Sequence, residues 1–218
     1  MKKTMISTKD MPREEWLRLR KAGIGGSDAG SICGLNPFSS PIAVYQDKIS
    51  EDIADFDNES MRQGRDLEDY VAKRFTEEAG KKVRRANVIF KNADYPFMFA
   101  NVDRMIVGED AGLECKTASA YSADKWKDGH IPESYQIQCY HYMAVTGAKA
   151  WYIAVVILGR EFIWHKIERD EELIQCQTAH CGRYIPHFDF GAKPSPIVPY
   201  RHLPQSLSGM TADCRSLV

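Results

Sequence analysis

Two acids and a lysine, Asp103, Glu114 and Lys116, are spaced as metal-assisted hydrolysis requires. Ten residues separate Asp103 from Glu114, room for two strand ends and the turn Gly108-Glu109-Asp110-Ala111-Gly112. Side chains alternate along a strand, so Glu114 and Lys116 project from one face and Cys115 from the other. Two carboxylates meeting at one edge of a hairpin bind a hard divalent cation such as Mg²⁺ through oxygen. A lysine beside them orients a water, or deprotonates it where the surroundings lower its pKa. A third acid, Glu68, lies in the helical run Arg65-Asp66-Leu67-Glu68-Asp69-Tyr70-Val71, from which it can lean over a sheet and hold a water. Acid and lysine two apart also occur on exposed strands, where they are solvated surface. Asp103, however, sits within the strongly apolar run Phe97 to Ile106, where an acid without a partner is costly.

The elements that position these residues follow from periodicity and punctuation. Pro12 and the helical spacing of Trp16 and Leu19 predict a helix over 11–20, ending near Gly23. The Gly-rich turn Gly23 to Gly30 leads into a short helix towards Cys33, with Ser27 or Asp28 as its cap. A helix over 42–49 follows the loop Asn36 to Pro41. Met61, Leu67, Val71 and Phe75 mark the buried face of a helix over 59–79, closed by Gly80. Strands are predicted over 83–90, 97–107 and 112–116, then a helix over 132–145 ended by Gly147. Strands over 150–158 and 161–167 are joined by Gly159-Arg160, and a last helix spans 170–184. This order predicts an α/β fold with a central mixed β-sheet flanked by helices, rather than a regular βαβ alternation. A domain over 1–190 is expected, with a flexible tail over 191–218 that is rich in Pro, Ser and Gly.

The 218 residues are 44% hydrophobic and 27% charged, which excludes a disordered, collagenous or coiled-coil chain. The net charge of −1 excludes a wholly basic DNA coat but leaves room for a local basic site. Residues 51–69 carry eight acids against two bases, whereas 81–91 hold Lys81, Lys82, Arg84, Arg85 and Lys91 without an acid. Such runs are ordinarily solvated surface; the functional reading is a basic track beside an acidic pocket. The longest apolar run, Trp151 to Leu158, is far shorter than the ~20 residues of a membrane span. The N-terminal lysines precede no apolar core, so no signal peptide is expected, and the six cysteines read as reduced thiols in a cytoplasm. Cys176, His180, Cys181 and His187 fall in or after the last helix without a second ligand pair, and read as helix core and surface rather than a zinc site.

Four segments together resemble a known family. They are Trp16 to Asp28; Gly64-Arg65-Asp66-Leu67-Glu68; Asn101-Val102-Asp103-Arg104 with Leu113-Glu114-Cys115-Lys116-Thr117; and Ile131 to Gly147. Their order and spacing are similar to the lambda-type phage exonucleases, the YqaJ-type viral recombinase family within the PD-(D/E)XK nuclease superfamily. The resemblance implies a restriction-endonuclease-like core. It implies a Mg²⁺-dependent exonuclease, with Mn²⁺ able to substitute and two ions per site, that digests linear double-stranded DNA from a 5′ end and leaves a 3′ single strand. It places Asp103, Glu114 and the main-chain carbonyl of Cys115 on the metal. Lys116 would position or activate the water, and Glu68 and Gln138 would act beside them. Tyr140 stands where many relatives carry a second glutamine, and Gln136 competes with Gln138 for the motif position. Arg20 and Ser27 match the family's pocket for a 5′-phosphate, chemistry suited to a guanidinium fork and a hydroxyl near a helix start. Lys81, Lys82, Arg84 and Arg85 are candidates for the DNA track. A homotrimeric ring around DNA, a single-strand annealing partner, and a phage or prophage origin in a bacterial cytoplasm are further expectations. The alternatives are an endonuclease of the same fold and a non-catalytic module that binds DNA ends.

Overall fold

The computed structural model describes residues 3–53 and 57–184. The expected tail over 191–218 and His187 lie outside the described residues. The elements run β1 (Lys3–Ser7), α1 (Arg13–Lys21), α2 (Gly26–Ile32), α3 (Pro41–Ile49), α4 (Glu59–Ala79), β2 (Val83–Arg85), β3 (Val88–Asn92), β4 (Phe99–Asn101), β5 (Arg104–Ile106) and β6 (Ala111–Ala118). A 3₁₀ segment (Ala120–Gly129), α5 (Glu133–Thr146), β7 (Ala150–Ile157), β8 (Glu161–Glu168) and α6 (Glu171–Tyr184) complete the order.

The main sheet has the order β2-β5-β6-β7-β8, with β6 and β7 parallel and the other neighbours antiparallel. Alternation along β7 divides its side chains between two layers. Tyr152 and Ala154 join Val71 and Phe75 of α4, while Trp151, Ile153 and Val155 join Met143 and Val145 of α5. Strand β6 repeats the division. Leu113 and Cys115 turn to the α4 layer, so Glu114 and Lys116 turn to α5. This is the mixed sheet flanked by helices that the element order predicts.

Two predicted strands are each two strands in different sheets. The run over 83–90 is broken at Asn87, whose φ of 50° is left-handed, and β3 joins a small sheet of order β1-β3-β4. The run over 97–107 is broken at Val102-Asp103, so β4 belongs to the small sheet and β5 to the large one. The Asp103 carboxylate marks this crossing: its Oδ2 accepts the Cys115 N–H at 2.8 Å. Met61 is 46% exposed, because only the stretch of α4 around Val71, Ala72 and Phe75 is buried. Helix α2 begins at Gly26 with Gly25 as its cap residue. Neither Ser27 nor Asp28 occupies the cap position, although Asp28 Oδ2 accepts the Gly25 N–H at 2.8 Å from inside the first turn.

Asp28 also ties three helices together. Lys48 of α3 reaches Asp28 Oδ2 at 2.7 Å and the Arg20 carbonyl of α1 at 2.9 Å, with its own side chain 2% exposed. Burial alone would raise the Asp28 carboxyl. The Lys48 ammonium, helped by Arg20 and the Gly25 N–H, holds it below the usual carboxylate value. Lys48→Met is expected to lower unfolding free energy by about 2 kcal/mol in urea melts at neutral pH. The folded-state pKa lies below the unfolded one. The stabilisation is therefore complete above roughly pH 4 and lost as pH falls through the lowered value. The gap between wild type and variant should close on that acid limb; a gap independent of pH would show that the ion pair contributes nothing.

Candidate active site

Strand β6 and helix α5 bring three predicted residues together. Gln138 Oε1 accepts from Lys116 Nζ at 3.0 Å, and Gln138 Nε2 donates to Glu114 Oε1 at 2.8 Å. Lys116 Nζ lies 2.7 Å from the same Glu114 oxygen. The competing glutamine turns away, Gln136 Nε2 donating to the Ile131 carbonyl at 2.8 Å. Helical spacing explains this: Gln138 shares a face with Tyr142 and Tyr135, both of which sequence reasoning missed. Gln138 Nε2 also donates to Tyr142 Oη at 2.7 Å, and Lys116 Nζ lies 4.6 Å from the centre of the Tyr135 ring.

Charge in this cluster is unbalanced towards acid. Glu114 is 4% exposed, and its Oε2 is buried without a hydrogen-bond partner among the described residues. Burial, then the charges of Glu114 and Glu68, push the Asp103 carboxyl well above the usual range. A buried, unpartnered carboxylate oxygen beside a second strained acid is a site short of positive charge. Among the described residues no three His, Cys, Asp or Glu side chains converge as a ready metal cage. The donors that do fit are the Asp103 and Glu114 carboxylates, hard oxygens of the kind Mg²⁺ takes. The Lys116 ammonium is opposed by burial, yet the adjacent Glu114 carboxylate keeps it above the ordinary lysine value. That favours a charged donor over a base. Burial also pushes the Cys115 thiol well above its normal pKa, which favours the neutral thiol.

Glu68 reaches the site from the α4 layer and is engaged there. Arg104 Nη1 donates to Glu68 Oε1 and to the Asp103 carbonyl, and its other nitrogen pairs with Asp69. Arg104 is 4% exposed. Its place beside Asp103 in the third segment was visible, but nothing in the spacing indicated that it faces α4.

Lys116 and Gln138 line a cleft of about 710 Å³ that also includes Ser27, Phe38, Lys125 and Tyr135. Ser27 is exposed on the first turn of α2. Arg20 does not line the cleft; its guanidinium lies 4.8 Å from the Trp16 ring. The four basic candidates sit on or next to the edge strand β2 and do not line the cleft. Lys81 pairs with Glu109 and Arg85 with Asp69 at 2.6 Å, while Lys82 and Arg84 are exposed. His180, singled out near Cys176, is buried with its Nε2 3.2 Å from the Ile32 carbonyl.

The glycines of the first segment set the distance between α2 and α5. A Cβ on Gly26 would stand 2.7 Å from Tyr142 Cε1 and 2.9 Å from Gln138 Cγ. Gly26→Ala is therefore expected to displace the Gln138 amide, reducing activity by about tenfold or more, since small misplacements of catalytic groups are costly. Steady-state rates alongside a melting curve check this; a folded variant with unchanged rate would separate Gln138 placement from turnover.

Comparison with known proteins agrees with this architecture. Residues 15–149 match the YqaJ-like viral recombinase domain. An uncharacterized protein YqaJ of Bacillus subtilis (strain 168) is 48% identical over 173 residues, covering 78% of this chain and 54% of that protein. The chain thus spans about half the length of that curated relative. An alkaline exonuclease (LHK-Exo) from Laribacter hongkongensis superposes with a TM-score of 0.70 at 17% identity, over 94% of this chain and 100% of the other. A phage related exonuclease from Haemophilus somnus 129PT gives a TM-score of 0.53 at 16% identity, over 78% and 96% of the two chains. At these identities the structures establish a shared fold, the restriction-endonuclease-like core. The matched residues 15–149 take in Ser27, Glu68, Asp103, Glu114, Lys116 and Gln138, and the chain belongs to the YqaJ-like viral recombinase family.

Proposed function

We propose that the chain is a metal-dependent deoxyribonuclease, an exonuclease that shortens one strand of linear duplex DNA from its 5′ end and leaves a 3′ single strand for recombination. The observation that carries this reading is the Glu114–Lys116–Gln138 cluster beside Asp103, whose Lys116 and Gln138 line a cleft and whose Glu114 Oε2 is buried without a partner among the described residues. Family membership and the exonuclease names of proteins sharing the fold support it; LHK-Exo has also been solved in complex with dAMP, a mononucleotide.

Asp103 and Glu114, with the Cys115 carbonyl, would hold Mg²⁺, which when bound supplies Lewis acidity at the phosphate and a more acidic water. Lys116, charged and fixed by Glu114 and Gln138, orients the attacking water and offsets negative charge building on the phosphate oxygens. Gln138 keeps Lys116 and Glu114 in register. Water oxygen adds to phosphorus and gives up a proton to solvent, the bond to the leaving sugar oxygen breaks, and that oxygen takes a proton from solvent. Glu68, released from Arg104 or acting with it, supports the water shell. Arg20 and Ser27 hold a terminal 5′-phosphate. Of the four basic candidates, Lys82 and Arg84 are free of ion pairs among the described residues, and contact DNA outside the cleft. A homotrimer encircling DNA, an annealing protein that receives the 3′ strand, and action in a bacterial cytoplasm from a phage or prophage gene complete the proposal.

Substrate ends test it. Linear duplex with 5′-phosphate should be degraded faster than the same duplex with 5′-hydroxyl, and Arg20→Ala should abolish that difference. Closed circular duplex should survive. Cutting of the circle would replace the exonuclease with an endonuclease, and equal rates on both ends in wild type would refute the phosphate pocket.

A further inference from the structure

We infer that Phe38 and Lys125 form a nucleotide subsite of the cleft, in which Phe38 stacks on an unpaired base of the strand being degraded and Lys125 holds an adjoining phosphate. This rests on the nuclease reading and adds to it residues outside the acid–lysine cluster and outside the basic run.

Phe38 is 86% exposed, although phenylalanine is among the residues most often buried. Its loop is built, not loose. Asn36 Oδ1 accepts the Phe38 N–H at 2.9 Å, and Asn36 Nδ2 donates to Ser31 Oγ at 3.0 Å. The N–H groups of Leu35 and Asn36 both donate to the Gly30 carbonyl, at 3.0 and 3.2 Å. An exposed ring is thus held at the cleft that Lys116 and Gln138 line. Among the described residues no core neighbour explains it; a flat apolar partner from solution does.

Lys125 lines the same cleft from the 3₁₀ segment. Its carbonyl lies 2.7 Å from His130 Nδ1, which fixes the backbone. The neighbouring Asp124 and Lys127 pair with each other, and among the described residues Lys125 has no carboxylate partner. An aromatic ring and an uncompensated cation lining one cleft match the base and phosphate of a nucleotide. The cleft volume of about 710 Å³ lies in the range of about 300–1,000 Å³ that buries ligands of nucleotide size. In an intact duplex both faces of each internal base are stacked. Such a base offers Phe38 no face, whereas an unpaired base of the strand being degraded does.

The test is binding without turnover. The 218-residue chain in EDTA is titrated into a 5′-phosphorylated, 3′-fluorescein-labelled hexathymidylate, and anisotropy gives Kd. Phe38→Ala should weaken binding about tenfold, the scale of one lost base–aromatic stack, and Phe38→Trp should restore it. Lys125→Gln should reduce the slope of log Kd against log salt by about 0.7, one phosphate contact on a single strand. Equal Kd for wild type and Phe38→Ala overturns the subsite. So does a wild type that degrades duplex DNA with Mg²⁺ yet does not bind the hexanucleotide, and in that case the nuclease reading stands. A wild type that neither binds nor degrades removes both.

Discussion

Asp103→Asn is expected to lower hydrolysis of linear duplex DNA by about a thousandfold while leaving the protein folded, the scale on which loss of one catalytic group costs rate. The substitution is nearly isosteric, and the asparagine carbonyl can still accept the Cys115 N–H that Asp103 Oδ2 accepts at 2.8 Å. What it removes is a charge. Burial, Glu114 and Glu68 together push the Asp103 carboxyl up, so near neutral pH its ionised form works against the fold. Without divalent ions the variant should therefore melt no lower than wild type, and higher if the acids repel as their placement indicates. Adding Mg²⁺ should raise the wild-type melting temperature by linkage and leave Asp103→Asn unmoved. Near-wild-type turnover in a folded Asp103→Asn protein would remove the acid pair from the chemistry.

Arg104→Met should produce the largest loss of stability. The guanidinium is 4% exposed and holds Glu68, Asp69 and, at 2.7 Å, the Asp103 carbonyl. Methionine keeps much of the stem's packing but leaves the acids uncompensated. Breaking one side of a buried ion pair costs about 3–5 kcal/mol; the lower end is expected because the Asp69 side chain, 69% exposed, can return to water. The shift in urea midpoint at constant m measures it, and a loss under about 1 kcal/mol would mean the pairs are surface-like. Glu68 loses its anchor in the same variant, so rate should fall by more than the folded fraction does.

Much of this arrangement was legible in the sequence because its causes are local. Helix α4 carries its apolar spacing within the segment at Leu67, Val71 and Phe75, and α4 and α5 end at Gly80 and Gly147, with left-handed φ of 67° and 77°. The β7–β8 hairpin is announced by Gly159. Glu114 and Lys116 share a face because strands have period two, and Gln138 meets them because α5 covers that face. The misses have distant causes. The apolar runs over 83–90 and 97–107 look continuous, and what divides each is which sheet receives its halves. Strand β1 is mostly exposed and exists because it pairs with β3, some 85 residues on, a partner its own polar pattern does not disclose. The basic run from Lys81 to Arg85 looked uncompensated along the chain. Two of its charges are answered by Glu109 and Asp69, 28 and 16 residues away in sequence. Arg104 was hidden for a related reason, since its importance lies in two acids on α4.

In the proposed mechanism Asp103, Glu114, Lys116 and Gln138 form a metal-dependent centre for phosphodiester hydrolysis at DNA ends. The most direct measurement is release of labelled mononucleotide from a linear duplex labelled at its 5′-phosphorylated ends, with Mg²⁺ and with EDTA, for wild type and Asp103→Asn. Labelled mononucleotide release by wild type with Mg²⁺, release about a thousandfold slower by Asp103→Asn with Mg²⁺, and none by either protein in EDTA is the predicted result. Absence of release from a folded wild type with Mg²⁺, or equal release in EDTA, would contradict it.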